Sequence, residues 1–144
     1  MSMFVLDTDM LTLFRNGHPA VVAHALRIPP AELFVSVITV EEQLQGWYRI
    51  LHRDPSSKQV AERYQRLADT VSFYSATKIL NFTESAADLY GRLERLKLNV
   101  KPFDLRIAAI ALDNSATVVT RNVRDFRRVP DLVIEDWSRS AAAH

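Results

Sequence analysis

The acidic residues of this chain stand at positions from which they could bind a metal ion. Four separate segments contain these residues, which are four carboxylates and one amide: Asp7, Glu42, Asp104, Asn122 and Asp125. Carboxylates that cluster in a protein repel one another unless they are protonated or bridged by a cation. The chain has no cysteine, and no histidine lies near these positions. The expected ligands are therefore oxygen atoms, which favour Mg²⁺ or Mn²⁺ over zinc.

The N-terminal stretch FVLDTDML, residues 4–11, shows why a cation is expected near Asp7. Its apolar start is typical of a buried strand, yet the strand ends directly at Asp7, with Asp9 two residues later. Burying an unpaired charge is costly, so something must neutralise Asp7. A bound cation would do so, with Asp9 either near the ion or simply hydrated.

The elements that carry these residues alternate between strand and helix. Short apolar runs predict strands at residues 3–6, 33–38, 78–82, 117–120 and 132–134, and helical periodicity predicts helices between them. One of those helices begins at Thr39, and another, covering residues 105–112, is apolar almost all round. The alternation predicts an α/β fold, a three-layer α/β/α sandwich with a mostly parallel five-stranded sheet.

Two amphipathic helices complete this picture. The first has apolar residues at helical spacing between Val60 and Val71, and the second begins after Thr83. We expect this pair to pack together as a protruding arm.

A parallel sheet would bring the acidic residues to one place. Ligands bind beyond the carboxyl ends of such strands, where the following helices begin. Asp7 ends the first predicted strand, Glu41 and Glu42 open the helix after the second strand, and Asp104 opens the buried helix. Asn122 and Asp125 follow the fourth strand, so four segments supply side chains to one edge.

Each of these residues also has a purely structural explanation. Thr39 and Glu42 have the spacing of a capping box, and Asp104 could be an N-cap. Asp7 or Thr8 could cap the first helix, and Asp125 could be a turn residue. Caps are scattered over a fold, whereas metal ligands converge, so convergence would distinguish the two interpretations.

Composition predicts one domain in a reducing compartment. The chain has 144 residues, and we assign residues 1–137 to a single domain and 138–144 to a flexible, vector-like tail. No apolar run approaches the roughly 20 residues that span a bilayer. Together with the absence of cysteine, this predicts a cytoplasmic protein without membrane contact. Lys plus Arg number 18 against 17 Asp plus Glu, so net charge does not decide for or against a nucleic-acid partner.

Four motifs in order resemble a known family. They are LDTD at residues 6–9, SVITVEEQLQG at 36–46, FDLRIAAIAL at 103–112 and VVTRNVRDFRRVPDLVIEDW at 118–137. Together they resemble the PIN-domain nucleases, and within them the VapC toxins of bacterial toxin-antitoxin pairs. The resemblance implies that the metal ligands are Asp7, Glu42 rather than Glu41, and Asp104. Its fourth acidic position falls on Asn122, an uncharged and weaker ligand, and Asp125 could supply the missing charge through water.

The resemblance also implies a function. The implied protein is a Mg²⁺- or Mn²⁺-dependent endoribonuclease toxin that uses a metal-activated water. It would be inhibited by a VapB-like antitoxin and would form a homodimer. A basic run beside the fourth position would contact RNA phosphates without reading their sequence; it comprises Arg121, Arg124, Arg127 and Arg128. A hydrated surface explains the same residues equally well.

Two other functions fit parts of the sequence. Asp7-Thr8-Asp9 is similar to the start of the haloacid-dehalogenase-like phosphatases, but the three glycines are not in the setting that this family needs. A PIN-like module that binds RNA or a partner without cutting is the other, because Asn122 is uncharged.

Several hydroxyl and imidazole side chains have ordinary structural explanations. Thr8 and Thr120 could orient ligands, but capping and strand propensity explain them as well. The three internal histidines share no motif, and we interpret them as surface or core residues: His18, His24 and His52.

Overall fold

The computed structural model describes residues 2–51, 53 and 56–140, and its centre is one five-stranded sheet. The strands are β1 (Phe4–Leu6), β2 (Leu33–Ser36), β3 (Ile79–Leu80), β4 (Thr117–Val119) and β5 (Val133–Glu135). They are ordered β3-β2-β1-β4-β5, and every neighbouring pair is parallel. The order reverses between β1 and β4, which is the place where open α/β sheets bind their ligands.

Seven α-helices lie in the described part of the chain. They are α1 (Thr8–Arg15), α2 (Pro19–Ala25), α3 (Val37–Leu51), α4 (Ser57–Ser75), α5 (Glu84–Arg95), α6 (Pro102–Asp113) and α7 (Val123–Phe126). A short 3₁₀ helix, Pro30–Glu32, precedes β2. None of the helices within these ranges is long and apolar enough to cross a membrane.

The sheet separates two hydrophobic clusters, because successive strand residues face opposite sides. Val5 and Val118 belong to the cluster around α6, and Leu6 and Val119 belong to the cluster around α1 and α2. Residues 107–111 of α6 are all buried, as its apolar sequence predicts. Helices therefore cover both faces, which confirms the three-layer α/β/α fold.

The start of α3 differs from its prediction. The apolar run was expected to remain a strand to Ile38, with the helix beginning at Thr39, but β2 ends at Ser36 and α3 begins at Val37. The Ser36 hydroxyl accepts a hydrogen bond from the Thr39 amide at 3.3 Å, so a serine at the strand end supports the first turn. β-branched residues suit strands locally, and here the capping contact outweighs that preference.

The expected pairing of helices is also wrong in one respect. α4 packs against α3, whereas α5 packs against α6. Two contacts hold α4 on α3: Arg63 Nη1 donates to the Ile50 carbonyl at 2.7 Å, and the Arg66 guanidinium lies 5.9 Å from the Trp47 ring centroid. The helix pair that forms an arm is therefore α3 with α4.

Some predictions fall on residues outside the described ranges. These are the break at Asp54 and Pro55, the assignment of His52, and the part of the proposed tail from residue 141 onward. Within the described part of that segment, the Ser138 hydroxyl donates to the Asp136 carboxylate at 2.6 Å. The boundary after residue 137 stays a prediction.

Candidate functional site

Asp7 lies at the junction of β1 and α1 and is 5% exposed. Its Oδ1 accepts the Met10 amide proton at 2.9 Å, so Asp7 rather than Thr8 is the N-cap of α1. Burial raises the pKa of the Asp7 carboxyl to about 6, against the opposing hydrogen bonds from Thr120 and Met10. The negative charges of Asp9 and Asp104 raise this pKa further. Asp9 itself is exposed, in agreement with a hydrated side chain.

Glu42 lies in the second turn of α3, beside the start of α1. The Thr8 hydroxyl donates to Glu42 Oε1 at 2.7 Å and lies 3.1 Å from the buried Thr39 hydroxyl. Because Thr39 is inside the helix, the capping-box interpretation of Glu42 is wrong. Glu41 is exposed, whereas Glu42 is half-buried. Of these two glutamates, Glu42 is therefore the one held next to the Asp7 segment.

Asp104 lies in the first turn of α6, whose N-cap is Lys101. The interpretation of Asp104 as the cap is therefore wrong. Burial raises the pKa of the Asp104 carboxyl, and the charges of Glu42 and Asp125 raise it further. Lys101 and a hydrogen bond from Asn122 act in the opposite direction. Asp104 thus interacts electrostatically with acids from two other elements.

Asn122 links the remaining acids through its amide nitrogen. Nδ2 lies 3.0 Å from Asp125 Oδ2 and 3.5 Å from Asp104 Oδ2, so it donates to two carboxylates. Asp125 is part of α7, a single helical turn, and not a residue of an open turn. It also accepts from Arg128 Nη1 at 3.1 Å. The amide therefore offsets repulsion between Asp104 and Asp125.

The structure brings all five predicted site residues to one edge of the sheet, near the β1–β4 reversal. It also assigns contacts to Thr8 and Thr120, whose roles the sequence left undecided. Thr120 is fully buried at the end of β4, bonds the Asp7 carboxyl and accepts the Asn122 amide proton at 2.9 Å. One signal for these roles was available in the sequence, because Thr8 follows Asp7 directly and Thr120 lies two residues before Asn122. Only the folded structure shows which atoms the two hydroxyl groups contact.

The donor set fits a hard divalent cation. It consists of carboxylates, and in Asp7 and Asp104 the raised pKa values reflect burial and nearby negative charge, which a cation would relieve. Among residues 2–51, 53 and 56–140, no group of three or more Asp, Glu or His side chains is already arranged to hold a metal ion.

The basic run beside Asn122 divides into two groups. Arg121, Arg124 and Arg127 are exposed. Arg128 is half-buried and donates to the Asn99 carbonyl at 2.8 Å as well as to Asp125. Among the described residues, the structure gives such hydrogen bonds to the guanidinium group of Arg128 and not to those of the three exposed arginines.

The two described internal histidines have structural partners. His18 Nδ1 accepts the Val21 amide proton at 3.4 Å at the start of α2. The His24 ring stacks on Trp137, with 4.5 Å between centroids. Both positions agree with surface or core roles.

The raised pKa of Asp7 predicts a pH dependence of stability in the metal-free protein. Between about pH 4 and pH 6 the folded chain keeps a proton that the unfolded chain has lost, so the free energy of unfolding falls as pH rises. Replacing Asp7 with Asn, which can still cap α1, should remove this contribution and stabilise the metal-free protein at pH 7 by up to about 3 kcal/mol. Urea unfolding of both proteins with chelator at pH 4 and pH 7 measures it. Parallel pH profiles would contradict the assigned environment of Asp7.

Comparison with known proteins identifies the family. The PIN domain model matches residues 4–132. The chain is 31% identical over 139 residues to the tRNA(fMet)-specific endonuclease VapC of Shigella flexneri, covering 94% of this chain and 98% of that protein. It is 28% identical over 142 residues to ribonuclease VapC2 of Rickettsia felis, with the same coverage of both chains.

Solved structures agree with this assignment. DNA-bound VapBC from Salmonella typhimurium superimposes with a TM-score of 0.74 at 29% identity, covering 95% of this chain and 99% of that one. VapBC2 from Rickettsia felis, bound to a DNA fragment from the promoter, gives a TM-score of 0.68 at 26% identity, covering 94% and 98%. With the fold, the ordered motifs and these matches in agreement, the chain belongs to the PIN-domain family and, within it, to the VapC type.

Proposed function

We propose that this protein is a metal-dependent endoribonuclease toxin that cleaves RNA phosphodiester bonds and is neutralised by a VapB-like antitoxin. The observation that carries the proposal is electrostatic: the charge of Asp104 raises the pKa of Asp7, and the charge of Glu42 raises the pKa of Asp104, although the three residues come from elements far apart in sequence. The activities named for its relatives, an endonuclease and a ribonuclease, support the substrate class. The solved VapBC assemblies support an antitoxin partner.

Each side chain has a role in this proposal. Asp7, Glu42 and Asp104 would hold Mg²⁺ or Mn²⁺, which when bound supplies a water of lowered pKa and positive charge for the phosphoryl oxygens. Thr8 and Thr120 orient Glu42 and Asp7 through their hydroxyl groups. Asn122 and Asp125 complete the polar edge beside Asp104.

Substrate binding is assigned to the exposed part of the basic run. Arg121, Arg124 and Arg127 would contact RNA phosphates, which positions the backbone without selecting its sequence. Arg128 would join them only if it released Asn99 and Asp125.

Incubation of the purified protein with total RNA tests the proposal. We expect cleavage with Mg²⁺ or Mn²⁺ and none with chelator, with products that carry a 5′-phosphate and a 3′-hydroxyl. Intact RNA in every tube would overturn the enzymatic proposal and favour a module that binds without cutting. Release of phosphate from a small phosphomonoester would instead favour the phosphatase, which the family matches already disfavour.

We also propose that the protein is a homodimer through the arm. Tyr64 and Val71 on α4 are 49% and 56% exposed, and their spacing of seven residues places them on one helix face. A second copy would cover this apolar surface. Light scattering should then give a mass of twice 16.4 kDa, reduced toward the monomer by Val71→Asp. A monomeric parent protein would contradict this assembly.

A further inference from the structure

We propose that the cleft between α1, α3 and α4 binds an unpaired base of the RNA substrate, and that Trp47 is the surface on which this base stacks. The inference rests on the proposed ribonuclease function and adds a substrate-binding site to it. The cleft encloses about 630 Å³. This volume lies within the range of sites that hold small organic ligands.

The cleft and the acidic site are built on neighbouring residues of α1 and α3. Leu11 and Thr12, which line it, follow Asp7 and Thr8 by four residues, or about one turn along α1. On the opposite wall, Gln43 is the residue after Glu42. An RNA strand whose phosphate lies at the carboxylates can therefore place a neighbouring base in the cleft.

The chemistry of the walls suits a nucleobase, which has a flat apolar face and a polar edge. Trp47 is half-buried, and the Arg66 guanidinium lies 5.9 Å from its ring centroid. Stacking on an aromatic ring accepts any base, so Trp47 would supply affinity. Hydrogen bonding to the base edge would come from the polar side chains around it: Asn16, Gln43, Glu62, Gln65 and Asp69.

Charge in the cleft favours a base over a phosphate. Arg15 and Arg66 are balanced by Glu62 and Asp69 on the same walls. Arg15 lies 4.1 Å from the Phe73 ring centroid, and Asp69 accepts from Gln65 at 2.9 Å. A phosphate would meet no net positive charge here, whereas a base finds both donors and acceptors. The exposed arginines near α7 are better placed for the backbone.

A peptide segment of an antitoxin is the competing occupant. Apolar side chains of a peptide would fit better in the neighbouring groove of about 310 Å³, which is lined mainly by apolar residues that include Phe14, Leu33 and Phe73. The cleft beside Trp47 has charged or amide groups on both walls. Sequence-tolerant binding of RNA commonly uses an exposed aromatic ring and targets unpaired bases.

The test compares two neighbouring aromatic residues of α3. Trp47→Leu removes the aromatic face in the cleft, and Tyr48→Leu removes an aromatic ring that is 60% exposed and does not line the cleft. Binding of a labelled 12-nucleotide unpaired RNA, and of the same strand in a duplex, is measured by fluorescence anisotropy with chelator present. We expect Trp47→Leu to weaken binding of the unpaired RNA about tenfold, or about 1.4 kcal/mol, and to leave duplex binding unchanged. Tyr48→Leu should bind both as the parent does.

Two further measurements keep the test decisive if Trp47→Leu does not fold. Gln43→Ala should weaken binding of unpaired RNA in the same way. Unpaired RNA should also quench the tryptophan fluorescence of the parent protein, and Trp47 must be the source because Trp137, the other tryptophan, is fully buried.

Parental affinity of Trp47→Leu for unpaired RNA would overturn the inference and leave the cleft to a peptide. If Trp47→Leu does not fold, parental affinity of Gln43→Ala together with unquenched fluorescence has the same meaning. Because chelator prevents cleavage, binding and catalysis are separated. A protein that binds unpaired RNA through Trp47 but never cuts it would overturn the nuclease proposal and support the base site.

Discussion

A Glu42→Gln protein should cleave RNA at least about 100-fold more slowly than the parent. In the proposed function Glu42 helps to hold a metal ion, whose stabilisation of charge in the transition state is worth several kcal/mol, and each 1.36 kcal/mol is about a factor of ten in rate. The substitution keeps the shape of the side chain and an oxygen that can accept from the Thr8 hydroxyl, now 2.7 Å from Glu42 Oε1. The measurement is the initial rate of cleavage of a labelled RNA at saturating Mg²⁺.

Glu41→Gln is the matched control for this experiment. It removes the same charge one residue earlier on α3, from an exposed side chain without a contact to α1 among the described residues. We expect its cleavage rate to stay within about twofold of the parent, since isolated surface charges contribute little. Equal losses in both variants would point to a general effect of charge on α3 and would remove Glu42 from the site.

Combining Glu42→Gln with Asp104→Asn should add little to the loss of cleavage rate, because the effects of residues that act as a unit are not additive.

Trp137→Ala should lower the free energy of unfolding by about 3–5 kcal/mol, the usual cost of truncating a large buried aromatic side chain. The Trp137 side chain is fully buried after β5, where it stacks on His24 and lies 5.5 Å from the Phe4 ring centroid. Its Nε1 donates to Glu135 Oε1 at 2.9 Å. The substitution therefore leaves a cavity and removes a hydrogen bond, and urea denaturation measures both losses together.

Two other substitutions calibrate this result. Trp137→Phe retains an aromatic ring and should cost clearly less than Trp137→Ala. Val133→Ala, on β5 but 59% exposed, should change stability by no more than about 0.5 kcal/mol. If Trp137→Ala were as stable as the parent, the segment after β5 would contribute little to the core in solution.

Local patterns predicted the five strands and the helices between them, apart from the single turn of α7. The apolar runs and the all-round apolar sequence of residues 105–112 correctly predicted five strands and a buried α6, because burial on both sides of a parallel sheet requires continuous apolar sequence. Strand-end positions then predicted which acids share an edge, since parallel strands end at the same side. The preference for Glu42 over Glu41 came from the motif around it and not from periodicity.

Contacts between distant residues could not be read from those patterns. Thr8 bonds a glutamate 34 positions away, and Asn122 donates to Asp104, 18 positions away, where the sequence suggested an amide acting as a ligand. Likewise, Ser36 rather than Thr39 supports α3, and α4 packs on α3 to form the cleft beside Trp47. Periodicity and capping preferences describe energies between near neighbours, whereas these contacts depend on how the folded chain returns on itself. The fold thereby brings Asp104 close enough for its charge to raise the pKa of Asp7.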